Sequence, residues 1–409
     1  MKIRLAWIPL AALALGSCMR AVTRPEISLE PKGLRVEIVS VPASTPRGAP
    51  IYLAASFNGW RPGVPAYQLR DEGNGRYVLD VPDTLSGSVE FKFTRGSWES
   101  VEIDSAGNDI PNRQLVVPAG RRVIYKATIA GWRNPANSPP RKSTARPSVS
   151  VINSSFAIPQ LGRTRRVWIY LPPDYTTSTK RYPVLYMHDG QNVFDAATSF
   201  AGEWGVDETL DSLIALGAPP AIVVAIDNGT DKRLDEYSPW PNAKYGGGEG
   251  DRYVEFMVQT LKPYIDAHYR TLPDKSNTAI AGSSMGGLIS LYAALKHPDV
   301  FSRAGVFSPS LWFNPEIYSF AREAVARASS ARLYIVSGAL EAATEEEADV
   351  YLKDQLRMVD SLEAGGLKQG TNVLSLIRPD GKHAEWFWRR EFPAAYLWLF
   401  GGSAGSPDK

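Results

Sequence analysis

The chain has 409 residues, 44% of them hydrophobic and 22% charged, and a formal net charge of +2. That length allows two or three domains, and the composition is that of a folded globular protein, not a disordered one. A near-neutral balance without a basic tract excludes the electrostatic footprint of a nucleic-acid binder.

The first residues read MKIRLAWIPLAALALGSCMR. Lys2 and Arg4 precede an apolar run, Leu5 to Leu15, which is too short to span a bilayer comfortably. The run ends in Leu15-Gly16-Ser17-Cys18, which resembles the lipobox of bacterial lipoproteins. There, small residues fit the signal peptidase and the cysteine thiol takes a diacylglycerol. Cys18 is the single cysteine of the chain, so disulfides are not expected. The expectation is a signal peptide over 1–18 and a tether over 19–33. Acyl chains on Cys18 would then hold the body on a membrane of the bacterial cell envelope.

Residues 34–132 are strand-rich. LRVEIVSVP, IYLAASFNGW, RYVLDVP, VEFKFTRG and RRVIYKATIAGW carry β-branched and aromatic residues, and turn signals such as RPGVP and DEGNG separate them. This pattern predicts an N-terminal β-sandwich. Residues 133–147, RNPANSPPRKSTARP, have the composition of an exposed linker.

From 148 to 402 the pattern alternates. RRVWIYLPP, YPVLYMHDG, AIVVAIDNG, TAIAGSS, AGVFSPS, RLYIVSG and VLSLIRPDG are strand-like. VDETLDSLIAL, RYVEFMVQTLKPYIDAHYR, MGGLISLYAALKH, EADVYLKDQLRMVDSLEAG and EWFWRREFPAAYLWLF have helical spacing. Strands of continuous apolarity between helices predict a mostly parallel sheet flanked by helices. Residues 403–409 form a tail.

Gly282-Ser283-Ser284-Met285-Gly286 fits G-x-S-x-G between a predicted strand and a predicted helix, the context of a nucleophile elbow. Ser284 is the central residue. A serine needs a base, and the chain has only four histidines. His188 and His268 precede Ser284, out of order for an α/β-hydrolase. His297 ends the helix that Ser284 opens, roughly 20 Å along it. His383 remains, after VLSLIRP and the predicted loop Asp380-Gly381-Lys382, at the carboxyl edge where such sheets place their sites. The carboxylate that orients it should follow the strand LYIVSG. Glu341 stands three residues beyond Gly338, with Glu345 and Asp349 as alternatives. For an oxyanion hole the expected donors are the backbone N–H groups of Met285 and of Gln191, with Gly190 permitting the turn. His188 and Asp189 brace that loop. No metal ligand set and no cofactor are expected.

YPVLYMHDGQNVFD, GEWGVDETLDSLI, FMVQTLKPYIDAHYRT, AGSSMGGLISLYAALKHPDVF, FSPSLWF, VSGALE and GKHAEWFW resemble the "putative esterase" (esterase D-like) branch of the α/β-hydrolases, which includes enterochelin esterases and carbohydrate esterases of family one. The resemblance covers about residues 150 to 400. It implies an α/β-hydrolase with Ser284 as nucleophile, His383 as base, Glu341 in the acid slot, and Met285 and Gln191 at the hole. It also implies an ester-bearing carbohydrate or a siderophore trilactone as substrate. The family often has Asp where this chain has Glu341. In the front region FNGW, EFKFTRGSW and IPNR resemble starch-binding carbohydrate-binding modules over about residues 34 to 132. That resemblance implies a glucan or other glycan held by Trp60 and Lys92. At the second tryptophan position the chain reads Val101-Glu102-Ile103, and Trp98 stands nearby as the substitute.

Overall fold

The computed structural model describes residues 33–81, 85–107, 109–133, 142–199, 202–342 and 345–401, with the side chains of 345–347 excepted. Cys18, the leader and nearly all of the expected tether lie outside the described residues.

The N-terminal region is β-rich. Its strands are β1 (Gly33–Ser40), β2 (Ile51–Ala55), β3 (Gln68–Gly73), β4 (Arg76–Asp80), β5 (Gly87–Thr94), β6 (Arg113–Val117) and β7 (Arg122–Thr128). They are hydrogen-bonded in the order β6-β5-β2-β3-β4-β1-β7. Alternation sends Val89, Phe91 and Phe93 of β5 into a core with Leu34, Val36, Leu53 and Val117. Two of these strands, β3 and β6, are absent from the sequence reading. QLRDEG is polar and buries only Leu69, so it carries no hydrophobic period. RQLVV is short and sits at the edge of the order.

The second part is built on eight strands: β8 (Val149–Ile158), β9 (Arg163–Tyr170), β10 (Val184–Met187), β11 (Ile222–Ile226), β12 (Thr278–Ser283), β13 (Arg303–Phe307), β14 (Arg332–Leu340) and β15 (Val373–Lys382). Their order is β8-β9-β11-β10-β12-β13-β14-β15. From β11 onward every pairing is parallel, while β8 and β9 enter antiparallel at one edge. The central strands are buried along their whole length, which explains their unbroken apolarity. Helices α1 (Val206–Ala215), α2 (Met285–Lys296), α3 (Glu316–Ala324), α4 (Glu345–Ala364) and α5 (Glu385–Phe400) supply the flanking layers. The sheet thus has a core on each side. Leu288, Ile289 and Phe256 belong to one; Trp204, Phe387 and Phe392 belong to the other.

Two boundaries differ from the sequence reading, and both matter for the site. The expected loop Asp380-Gly381-Lys382 is the end of β15, and β14 runs on to Leu340. The two strands pair there, Leu340 opposite Lys382, beyond a register shift after Gly338. The strands converge so closely that a Cβ on Gly338 would lie 2.0 Å from the Gly381 carbonyl oxygen. Only glycines fit that contact.

The last residues of the expected linker are pinned. Ser143 Oγ donates to Asp195 at 2.8 Å, Thr144 Oγ1 to Glu203 at 2.8 Å, and the Arg146 N–H to Asp207 at 2.8 Å. Their polar composition serves hydrogen bonds to the α/β body, so composition alone reads them as free chain.

Candidate active site

Ser284 sits between β12 and α2 with φ 60° and ψ −122°. A non-glycine residue in that region is strained and persists only where its surroundings hold it. Here the Ser284 N–H donates to the Phe307 carbonyl at 2.9 Å, and its carbonyl accepts from Ser310 N–H at 3.1 Å and Leu288 N–H at 3.1 Å. The small neighbours are obligatory. A Cβ on Gly282 would meet the Gly286 backbone at 2.9 Å, and one on Gly287 would meet the Phe307 carbonyl oxygen at 3.0 Å. Ser283 is buried, as the reading of Ser284 alone as the central residue requires.

His383 follows β15 directly. Its Nδ1 lies 2.7 Å from Glu341 Oε2. The other oxygen of Glu341 accepts from Ser308 Oγ and from the Gly338 N–H, each at 2.6 Å. Ser308 in turn accepts from the Trp388 indole at 2.8 Å. The Glu341 side chain is fully out of solvent. Among the expected alternatives, Asp349 is 60% exposed and faces Lys353 at 3.7 Å, and the side chain of Glu345 lies outside the described residues. Burial alone would lower the pKa of His383. The hydrogen bond and charge of Glu341, with the charges of Glu90 and Glu385, outweigh it and hold the pKa above the ordinary 6.5. Ser284 Oγ rests 3.1 Å from Ser310 Oγ, and among the described residues no hydrogen bond joins it to the His383 ring. Long or missing hydrogen bonds are common in unliganded sites of this chemistry.

The remaining histidines are occupied. His268 is stacked on Tyr264 with centroids 4.0 Å apart, and His297 Nε2 lies 3.3 Å from Glu255 at the end of α2. His188 is buried, bonds Tyr253 Oη at 3.0 Å, and is pushed by burial down to about 3. Asp189 accepts both Nε and Nη2 of Arg233, at 2.7 and 2.9 Å, and the Asn228 amide at 2.7 Å. Burial works against its charge, but Arg233 more than compensates and holds it below the ordinary carboxylate value. His188 and Asp189 therefore brace the loop. Arg233 and Glu236 open and close the short helix that follows β11. Both are engaged in structural pairs, Glu236 with Arg163 at 2.9 Å and with Arg165.

The loop at 188–192 places Gln191 in a short 3-10 turn, after Asp189 at φ 55°. Gly190 is required there for space: a Cβ would meet the backbone of Ile226 at 2.8 Å and of Asp227 at 2.9 Å. Met285 is the first residue of α2, and the first N–H groups of a helix have no intrahelical acceptor. Gln191 and Met285 thus lie on two turns at the carboxyl ends of the neighbouring strands β10 and β12.

Sequence reasoning missed three contributors. Ser308 and Ser310 close β13, where a serine-rich end at the carboxyl edge of the sheet was a usable signal. Glu385, two residues past His383, is buried and pushed by burial up to about 7, within reach of the charges of His383, Asp189 and Arg233. A separate acidic group, Glu203, Asp207 and Glu208, brings carboxylate oxygens within 4.8 Å of one another at the start of α1. It anchors the 143–146 segment, and acidic residues are ordinary in a first helical turn.

In the β-rich region, Trp60 and Trp98 are half-buried, with ring centroids 6.4 Å apart and planes at 37°. Trp60 has φ 58°, and its N–H donates to the Ala55 carbonyl at 2.9 Å. Lys92 corrects the expectation: it is 2% exposed, so its ammonium cannot serve as a surface contact for a sugar. Its place on β5 turns it to the face opposite Phe91 and Phe93, and that face is covered.

The family model described as "Putative esterase" matches residues 158–399, more than half of the chain. The chain belongs to this family, and it is a carboxylic ester hydrolase. Uncharacterized protein YbbA of Bacillus subtilis is 28% identical over 244 residues, covering 58% of this chain and 93% of that protein. An endo-1,4-beta-xylanase/feruloyl esterase of Xylanibacter ruminicola is 28% identical over 160 residues, 38% of this chain and 21% of that protein. An alpha-amylase of Niallia circulans is 44% identical over 96 residues, 24% of this chain and 7% of that protein. The chain thus spans most of the first relative and only small parts of the other two. Among solved structures, the siderophore hydrolase EstA from Aspergillus nidulans superposes with TM-score 0.51 at 18% identity, covering 65% of this chain and 98% of that chain. That likeness agrees with an α/β-hydrolase-like fold carrying an N-terminal β-rich region.

Proposed function

We propose that the protein is a lipid-anchored bacterial serine esterase that removes acyl groups, of the acetyl or feruloyl kind, from carbohydrate. The observation that carries the chemistry is the Glu341–His383 bond of 2.7 Å beside a serine in the strained elbow conformation. Glu341 holds the Nδ1–H tautomer and leaves Nε2 free to accept a proton. Ser284 Oγ attacks the ester carbonyl as its proton passes to His383. The oxyanion that forms takes hydrogen bonds from the N–H groups of Met285 and Gln191. His383 returns the proton to the departing alkoxide, which leaves as the alcohol, and an acyl-Ser284 ester remains. Water then loses a proton to His383 and attacks that ester. The free acid departs and Ser284 recovers its proton.

Carbohydrate as the substrate is supported by the xylanase/feruloyl esterase relative and by the likeness of 96 residues to an alpha-amylase. The siderophore hydrolase likeness keeps a trilactone as the second reading. Anchoring rests on the Leu15-Gly16-Ser17-Cys18 motif alone. The test is a panel of acetylated xylan, feruloylated oligosaccharide and a trilactone siderophore, with p-nitrophenyl acetate as general ester. Wild type and Ser284→Ala are compared. Equal rates for the two proteins on p-nitrophenyl acetate would refute the serine mechanism and leave a non-catalytic glycan-binding protein. Preference for the trilactone would replace the carbohydrate.

A further inference from the structure

β5 has two faces. Val89, Phe91 and Phe93 fill the core of the β-rich region, while Glu90, Lys92 and Thr94 point the other way. That second face is covered too: Lys92 is 2% exposed and Thr94 fully buried. The turn 56–60 adjoins it, because the Glu90 N–H donates to Ser56 Oγ at 3.2 Å. The turn is held rigid by Asn58, which accepts from the Ala55 N–H at 2.9 Å and donates to the Leu53 carbonyl at 2.7 Å. Its tip reaches the α/β body. A Cβ on Gly59 would lie 3.5 Å from Leu234 Cδ1, one residue along from Arg233 beside the candidate active site.

Glu90 stands on this face as an oriented carboxylate. Asn112 donates to one oxygen at 3.1 Å and Gln114 to the other at 2.5 Å. Two amides fix its plane yet use about half of the lone pairs a carboxylate offers. Its charge is one of those that raise His383.

We propose that the β-rich region is one wall of the ester site and reads the alcohol half of the substrate. Glu90 accepts hydrogen bonds from sugar hydroxyls, and the Trp60–Trp98 pair supports the C–H face of the ring. The inference rests on the carbohydrate reading above and adds where the sugar lies. A glycan held on this wall presents its ester to Ser284, so binding and cleavage share one cleft instead of two separate surfaces.

The experiment compares wild type, Glu90→Gln and Trp60→Ala. The readout is kcat/KM on a feruloylated or acetylated oligosaccharide divided by kcat/KM on p-nitrophenyl acetate. Losing a hydrogen bond to a charged group, or a stacking ring, lowers that ratio by about tenfold or more, chiefly through KM for the sugar ester. In Glu90→Gln the ascending limb of the pH profile on p-nitrophenyl acetate also moves to lower pH, because a negative charge near His383 is gone. An unchanged ratio in Glu90→Gln, with wild type active on sugar esters, overturns the inference alone. Wild type active on p-nitrophenyl acetate but on no sugar ester overturns the carbohydrate reading and this inference together. If Trp60→Ala does not fold, Glu90→Gln decides.

Discussion

Glu341→Gln tests the dyad directly. The buried carboxylate has Oε1 fixed by two donors, Ser308 Oγ and the Gly338 N–H, and Oε2 on His383 Nδ1. A glutamine at this position keeps its amide oxygen toward the two donors, so its NH2 turns to His383. An NH2 group can only donate, so Nδ1 must accept and the ring proton moves to Nε2. His383 then cannot take the proton of Ser284. In a Ser–His–Asp enzyme the comparable change lowers kcat roughly ten-thousand-fold, which corresponds to about 5.5 kcal/mol. A similar loss is expected here, measured as kcat on p-nitrophenyl acetate with a thermal melt as control for folding. The pH profile carries a second signature. The base must be neutral, so activity rises as pH passes the His383 pKa, which lies above 6.5 in the wild type. Without the carboxylate, burial dominates, and the ascending limb moves to lower pH while the plateau falls. A variant that keeps more than about a tenth of the activity, with the limb unmoved, would refute the reasoning. Asp349→Asn, at an exposed position, should match wild type.

Arg233→Ala leaves Asp189 buried without its bidentate partner, a loss of about 3–5 kcal/mol readable as a lower urea midpoint. Gly190→Ala forces a Cβ against the backbone of β11; overpacking of this kind costs about 1–3 kcal/mol. It should also depress kcat more than KM, because the Gln191 N–H moves with the loop. Asp207 has a folded pKa raised by burial to about 7 from the ordinary 3.8. Across that window the folded chain holds a proton that the unfolded chain has lost, so the contribution of this group to stability is full below about pH 4 and is lost as pH rises through about 7. Asp207→Asn should flatten this dependence, and melts at pH 5 and pH 8 would show it; an unchanged slope would argue that another group titrates.

The elbow is legible in the sequence because several requirements converge on a few residues: a buried strand, glycines at three contacts, and an apolar helix behind Ser284. His383 is legible because only four histidines exist and three are misplaced by chain order. Glu341 stands apart from its acidic neighbours only after β14 and β15 are paired, since chain position does not tell which carboxylate faces a histidine. The serine-rich end of β13 pointed to Ser308 and Ser310, but their partners, Glu341 and Ser284, and the charges around Glu385 come from contacts over long sequence separations, which no local pattern carries. Lys92 shows the limit most plainly. The same alternation that places it on the far side of the β5 core leaves open whether solvent or protein covers that side.

The pairing of Leu340 with Lys382 puts acid and base one residue beyond the same rung of a ladder. Their separation is set by backbone register and not by the crossover that joins the two strands. That connecting segment, α4 included, can therefore accept insertions, exchanges between relatives or a grafted loop while the proton-handling pair keeps its spacing. A slip of the ladder by one residue would instead disable both members at once. Attempts to reshape the specificity of this enzyme have more freedom in that crossover than at either strand end.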